Sequence, residues 1–508
     1  MNPADQVLLA IALPLVGAIG IAVTGRMPNL RETVTLVTAI LLAATVWSLL
    51  PTVLAGGRPT VSPFEILPGV DLTFTVEPLG MVFAAVASLL WIVNSIYSIG
   101  YMRGNKEAHQ TRFYVCFAIA LASTMGIAFA GNLITLFIFY EALTLCTYPL
   151  VTHKGNDEAR LAGRTYLGIL LATSIGLQLL AILWTWSVTG RMDFSAGGIL
   201  GDHVQGWEVG VLLALYMFGI GKAALMPIHR WLPAAMVAPT PVSALLHAVA
   251  VVKAGVFSVV KVVVYVFGID RLAAEPSAEW LAYAAGFTII VASVIALRQD
   301  NLKRRLAYST ISQLSYVILA TAILSPLSIM GAALHIAAHA FGKITLFFAA
   351  GSIYTAAHKT EISQLDGIGR KMPWTMGAFT VGAISMIGLP PTAGFISKWY
   401  MLQGAIERDH VVAIGIIFAS TLLNAAYFLP IVHQAFFRGG DRDKDTLATA
   451  AQPIAGGGHD AEPDDHGDHG EAPLPIVLAL VATAGLTVVL FLFPGTALEL
   501  AGQLVGRP

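Results

Sequence analysis

The stretch 217–268, MFGIGKAALMPIHRWLPAAMVAPTPVSALLHAVAVVKAGVFSVVKVVVYVFG, decides how the chain is read. It is apolar for most of its length, yet it carries Lys222, His229, His247, Lys253 and Lys261, and Pro227, Pro233, Pro239 and Pro241 interrupt it. A proline inside a helix removes a backbone hydrogen bond, and interrupted backbone at membrane depth is tolerated only where it lines a cavity. A charged side chain at the bilayer centre costs ~3 kcal/mol or more and marks an ion pathway by default. The stretch therefore reads as two membrane spans joined through a break, with titratable groups turned to a wet interior. GIGK is not a phosphate loop, because Tyr216 stands where a Walker motif needs Gly and Ala223 follows the lysine.

The rest of the chain agrees with a membrane reading. Of its 508 residues 56% are hydrophobic and 12% charged, about half the charge of a soluble domain, which excludes an ordinary cytoplasmic enzyme. With about 20 apolar residues per crossing, spans are expected near 5–25, 32–54, 78–101, 112–130, 132–152, 163–188, 207–227, 241–266, 276–297, 305–324, 327–356, 373–405, 411–436 and 474–494. That makes fourteen helices in an all-α polytopic protein with both termini on one face. The first run, from about Val7 to Val23, lacks the basic flank and cleavage site of a removed signal peptide and is expected to stay as helix one. The connection 55–77 contains DLTFTVEP, whose alternation suits a short hairpin, and 438–473 is polar, Gly- and His-rich and expected to be disordered. Within it, HDAEPDDHGDHGE (459–471) reads as a solvated loop rather than a metal site.

In this arrangement the face with the termini holds five basic residues and the opposite face nineteen. The Lys/Arg excess marks the cytoplasmic side, so both termini are expected outside the cell, in a bacterial inner membrane. The net charge of −1 gives no field for nucleic acid. Cys116 and Cys146, both in apolar runs, read as packing residues, with no disulfide or metal cluster.

Five basic residues fall inside expected spans: Lys222, Lys253, Lys261, Lys343 and Lys398. Glu141, in LFIFYEALTLCTYPL (136–150), is the one acid amid them and Lys222 its natural counter-ion. His247 and Lys253 are six residues apart, about 9 Å along a helix. His335, His339 and Lys343, in ALHIAAHAFGKITLFF (333–348), recur at i, i+4 and i+8 and share one stripe across about 12 Å. Two imidazoles in register with a lysine suit a proton relay, since His titrates near neutral pH, better than a zinc site that lacks a third ligand. Lys261, one face round and near the end of its span, reads as snorkelling to the interface. The run SMIGLPPTAGFISKWYML (385–402) repeats the design of the opening stretch, with a break at Gly388, Pro390, Pro391 and Gly394 and Lys398 just beyond. Paired interrupted spans point to an inverted repeat. The expected organisation is 1–111 for three leading helices, 112–266 and 276–436 for the repeats, the loop 438–473, and 474–508 for the last span and terminus.

These segments, in order, resemble the proton-conducting antiporter family shared by Mrp-type cation/proton antiporters, respiratory complex I and membrane-bound hydrogenases. The match covers roughly 70–436 and rests on Glu141, the K-x4-P-x-H-x-WLP-A, APTPVSALLH and K-A-G run, H-x3-H-x3-K and GLPP-x-x-GF-x-x-K. The resemblance implies two five-helix inverted repeats, with Glu141, Lys222, Lys253 and Lys398 as pathway residues and His247, His335, His339 and Lys343 as the connecting relay. It implies a transporter subunit with no cofactor of its own, with other membrane subunits as partners and protons and a monovalent cation, Na+ foremost, as cargo. The chain's stop fourteen residues after its last expected span, and Lys rather than Glu at position 398, make it similar to the D-type Mrp subunit. A proton-pumping subunit of complex I or of a hydrogenase complex is the alternative.

Overall fold

The computed structural model describes residues 2–439 and 470–506, so most of the 438–473 loop, with His459 and His466, lies outside the described residues. The bundle is helical, and ten of its helices are long and apolar enough to cross a membrane. In order these are α1 (Pro3–Val23), α2 (Pro28–Leu54), α3 (Pro78–Gly104), α4 (Gln110–Ala128), α5 (Leu133–Val151), the continuous Asp157–Thr189 segment, Pro276–Leu297, Pro326–Ala357, Val411–Phe437 and Leu474–Leu492. The Asp157–Thr189 segment comprises α6 (Asp157–Thr173) and α7 (Leu179–Thr189), joined through one π turn. Prolines in the first turn open α1, α2 and α3, where the missing N–H is no loss. Asn132 and Asn156 cap α5 and α6 by accepting from Thr135 N and Ala159 N.

The segments expected as single spans near 207–227 and 241–266 are fragmented. Helix α8 (Trp207–Gly219) gives way to a 3-10 turn at Gly221–Ala223, then to α9 (Trp231–Ala234), α10 (Thr240–Ala244), a π turn at Leu245–Val249 and α11 (Val251–Val262). The freed backbone groups find side-chain partners: Trp231 Nε1 donates to Gly221 O (3.0 Å) and Met226 N to Thr288 Oγ1 (3.2 Å). After α12 (Ile269–Ala273), α13 (Trp280–Leu297) and α14 (Leu302–Ala322) pack as a pair, and α15 (Pro326–Ala357) follows. Helix α15 is buried along its most apolar window and packs against α3, α14 and four later helices. It is the axis of the bundle.

The expected span 373–405 is two helices, α17 (Pro373–Ile387) and α18 (Ala393–Glu407), preceded by the short α16 (Ile368–Lys371). Helix α19 (Val411–Phe437) follows α18, and α20 (Leu474–Leu492) and α21 (Gly495–Leu504) come after the loop, so the expected last span is succeeded by one more helix. The 55–77 connection forms two small antiparallel sheets, β1 (Thr60–Val61) with β4 (Phe74–Thr75) and β2 (Glu65–Leu67) with β3 (Val70–Asp71). These hairpins mark one end of the bundle, the hairpin face. The other end, where α3 finishes beside Arg103, is the basic face.

The α17–α18 break depends on glycine twice. Gly388 ends α17 at φ +90°, in the left-handed region that side chains disfavour. At Gly394 a Cβ would sit 1.8 Å from the Ser385 carbonyl oxygen, so only glycine lets α18 start against the end of α17. Gly394→Ala should lower the stability of the purified protein by on the order of 1–3 kcal/mol, an overpacking penalty, read as a fall in its unfolding midpoint. An unchanged midpoint would show that the close approach is not needed.

Candidate functional site

Glu141 projects from α5, and both its carboxylate oxygens are buried without a hydrogen-bond partner. Its expected counter-ion does not reach it. Lys222, wholly buried, donates from Nζ to the Tyr140 carbonyl (2.8 Å) and to Thr144 Oγ1 (2.6 Å), with the Tyr140 ring beneath the ammonium. The Tyr140 hydroxyl accepts from Lys222 N (3.0 Å). The cause is local: α8 stops at Gly219, so Lys222 rides on a turn whose side chain crosses α5 at Tyr140 and Thr144. At the basic face an open pocket of ≈ 650 Å³ lies between the starts of α6 and α14 and the segment after α9, lined among others by Glu158, Pro233, Met236, Val237 and Arg304.

The backbone of His247 lies in the π turn that precedes α11. Lys253, on α11, makes a short contact from Nζ to His339 Nδ1 on α15, and both side chains are buried. The His339 and His335 rings stand 5.9 Å apart on successive turns. His335 bonds on both sides, through Nε2 with Gln313 Oε1 (3.1 Å) and through Nδ1 with Ser397 Oγ (2.8 Å). Gln313 is oriented by its own amide, which donates to Met386 O (3.3 Å) and Asn424 Oδ1 (3.2 Å). Its oxygen must then accept, so His335 carries its proton on Nε2. Ser397 lies one residue before Lys398, whose Nζ donates to Met386 O (2.8 Å) and Ile387 O (3.1 Å) at the end of α17 and lies 4.5 Å from the Tyr316 ring centroid. Lys343, one turn beyond His339, donates to Ser309 Oγ (2.5 Å).

The structure thus links Lys253, His339, His335 and Lys398 in a buried series across α11, α15 and α18, with Lys343 one turn further along α15 and Lys222 at the first break. Tyr140, Thr144, Ser309, Gln313, Ser397 and Asn424 also belong to the site, although an inventory of ionisable groups passes over them. Asn424 carries a usable signal, an amide in the apolar run LLNAAYFLP (422–430), whereas Gln313 sits among the hydroxyls of YSTISQLSY (308–316). Lys261 corrects the sequence reading: it does not snorkel but is wholly buried against Glu77, because the loop before α5 covers it. The ring of His229 faces that of Tyr308, with centroids 6.4 Å apart. Among the described residues no cluster of His, Cys, Asp or Glu has the makings of a metal site.

At the basic face, His153 follows α5 and its Nε2 lies 3.9 Å from Glu107 Oε2. Burial pulls the imidazole down to about 4, helped by the Arg112 charge, while burial raises the Glu107 carboxyl against the pull of Lys154 and Lys303. A depressed His favours the neutral folded form, so its contribution is complete above the ordinary value near 6.5 and is lost as pH falls through about 4. Thermal scans from pH 7.5 to 4 should show an acid limb that is shallower in His153→Gln; parallel limbs would exclude His153 as its source.

An all-helical membrane bundle with two broken segments and a buried line of lysines and histidines between them is an antiporter-like membrane subunit. Residues 130–424 match the family described as NADH:quinone oxidoreductase/Mrp antiporter, TM, and the chain belongs to that family. It is 32% identical over 374 residues to NADH-quinone oxidoreductase subunit N of Desulforudis audaxviator, covering 73% of this chain and 74% of that one. It is also 32% identical to an A/B-type subunit of a probable K(+)/H(+) antiporter of Rhizobium meliloti, over 73% of this chain but 37% of that longer one. Of the NAD(P)H-quinone oxidoreductase chain 5 of Picosynechococcus sp., 31% identical, it likewise spans under two thirds, 63%. In fold it is similar to a chain of the Mrp complex from Dietzia sp. DQ12-45-1b, with a TM-score of 0.85, 21% identity and coverage of 99% and 97%. A chain of the archaeal membrane-bound sulfane sulfur reductase gives 0.84 at 22% identity, covering 99% and 98%.

Proposed function

We propose that the chain is the D-type member of a multisubunit, Mrp-like monovalent cation/proton antiporter in a bacterial inner membrane, with both termini outside. Protons enter at the first break near Lys222, pass laterally through Lys253, His339 and His335, and leave near Lys398 at the second break, while a monovalent cation, Na+ foremost, moves the other way. Lys222, Lys253, Lys343 and Lys398 store protons, the turn that carries His247 lies beside the path, and Glu141 sets the charge state of Lys222. The chain itself performs no redox step, and other membrane subunits complete the complex.

The observation that carries this reading is the buried contact series Lys253 to His339, His335 to Ser397 and Gln313, and Lys398 to the α17 carbonyls. The two imidazole centroids stand 5.9 Å apart on successive turns of α15. A second reading, a proton-pumping subunit of an NADH-quinone oxidoreductase, is favoured by the Desulforudis audaxviator relative.

Proteoliposomes holding the whole complex discriminate the two. Collapse of an imposed pH gradient by Na+, Li+ or K+ supports antiport; formation of a pH gradient on addition of NADH and a quinone, with no cation response, replaces it by the second reading. In either assay Glu141→Ala should abolish transport in an assembled complex. His339→Ala should slow it by about tenfold or more, as expected when ~1.4 kcal/mol is added to a transfer barrier, and His339→Gln by less. Unchanged flux in His335→Ala, His339→Ala and their double variant across pH 6 to 9 would exclude the lateral route.

A further inference from the structure

The relay leaves out a fifth buried lysine. Lys261 lies eight residues beyond Lys253 on α11, toward the hairpin face, and is 0% exposed. Its Nζ sits 2.9 Å from Glu77 Oε2, donates to the Ala130 carbonyl (2.5 Å) and stands 4.4 Å from the Phe194 ring centroid. These partners come from different connections: Glu77 precedes α3, Ala130 joins α4 to α5, and Phe194 lies between α7 and α8. The same connections are stitched to one another by backbone bonds, Thr75 N to Phe129 O (2.6 Å), Gly131 N to Thr73 O (2.8 Å), Phe194 N to Gly131 O (3.1 Å) and Ile199 N to Val266 O (2.9 Å). Lys261 stands at the centre of this plug, and Glu77, 8% exposed, is its link to the surface.

We propose that the Lys261–Glu77 ion pair is a seal on the hairpin face, which closes the route from Lys253 to that surface and so forces protons sideways toward His339. This rests on the lateral relay proposed above. Three features support it. Lys261 stands on the same helix as Lys253, at the end where a straight transmembrane path would emerge, and Glu77 meets it there from the start of α3. Its ammonium meets a full carboxylate, which holds it charged and fixed, whereas the relay lysines meet carbonyls, hydroxyls and an imidazole. Among the described residues Glu77 is the one acid paired with Lys261, so removing either partner takes away the charge pair at the centre of the plug while its backbone bonds remain. Both are positioning residues: neither is asked to carry the transported proton.

The test is passive proton permeability of the whole complex in proteoliposomes, read with a pH dye trapped inside and no driving cation or NADH. Lys261→Met and the isosteric Glu77→Gln should each raise proton influx several-fold. Lys261→Arg, which keeps the pair, should stay tight, and Lys261→Glu combined with Glu77→Lys should regain part of the tightness. Adding Lys253→Met should suppress the leak, a dependence that general loosening of the fold would not produce. If Lys261→Met fails to assemble, Glu77→Gln carries the measurement. Tight vesicles from assembled Glu77→Gln overturn the seal and leave the relay standing. A leak indifferent to Lys253→Met also overturns the seal, while unchanged transport in the histidine variants overturns the relay whatever the leak.

Discussion

An ammonium group in the middle of an apolar bundle must be given partners, and what those partners are decides what the group can do. Desolvating an unpaired charge costs several kcal/mol even after relaxation. Lys222 is met by a carbonyl and a hydroxyl, Lys398 by two carbonyls, Lys343 by a hydroxyl and Lys253 by an imidazole nitrogen. A carbonyl accepts from the charged and the neutral amine alike, and a hydroxyl or neutral imidazole can turn from acceptor to donor. Such partners lower the energy gap between protonation states. A carboxylate stabilises the charged state alone, and of these five buried lysines Lys261 is the one paired with it.

The broken helices follow from the same requirement. A helix end leaves its last carbonyls without intrahelical donors and carries a partial negative charge. Helix α17 ends at Ile387, and the carbonyls of Met386 and Ile387 are those that Lys398 takes. Helix α8 ends three residues before Lys222. The second break therefore supplies a pole suited to a cation, whereas at the first the Lys222 ammonium reaches over to the Tyr140 carbonyl and Thr144 on α5. Each break also interrupts the apolar wall.

How far the sequence reaches is decided by distance along the chain. The breaks are legible because Gly and Pro act locally, and the His335, His339, Lys343 stripe because helical periodicity is local. Asn132, Asn156 and the prolines of the first turns mark helix starts for the same reason. The open state of Glu141 and Lys222 is not legible, since it depends on where a 3-10 turn points a side chain 81 positions further on. Lys261 is misread because its partner lies 184 positions earlier and its cover is loop backbone, which no pattern in 241–266 announces. The count of spans is also blurred: α14 begins LKRRLAYST and carries many hydroxyls, and α17 and α18 are each too short to be recognised as a separate crossing.

His335 shows how such a site tolerates a moving charge. With Gln313 Oε1 fixed as an acceptor by the Met386 and Asn424 contacts, Nε2 keeps a proton whether the ring is neutral or charged. All change is confined to Nδ1, which faces Ser397 Oγ. That hydroxyl lies 3.1 Å from Gly394 O as well. When the ring is neutral the hydroxyl can donate to Nδ1; when the ring is charged, Nδ1 donates and the hydroxyl turns to Gly394 O. One rotation about a single side-chain bond thus satisfies both states with no movement of the backbone. The Gly394 carbonyl comes within reach of Ser397 by helix geometry, three residues back on α18, while the glycine itself is required by the close approach of Ser385.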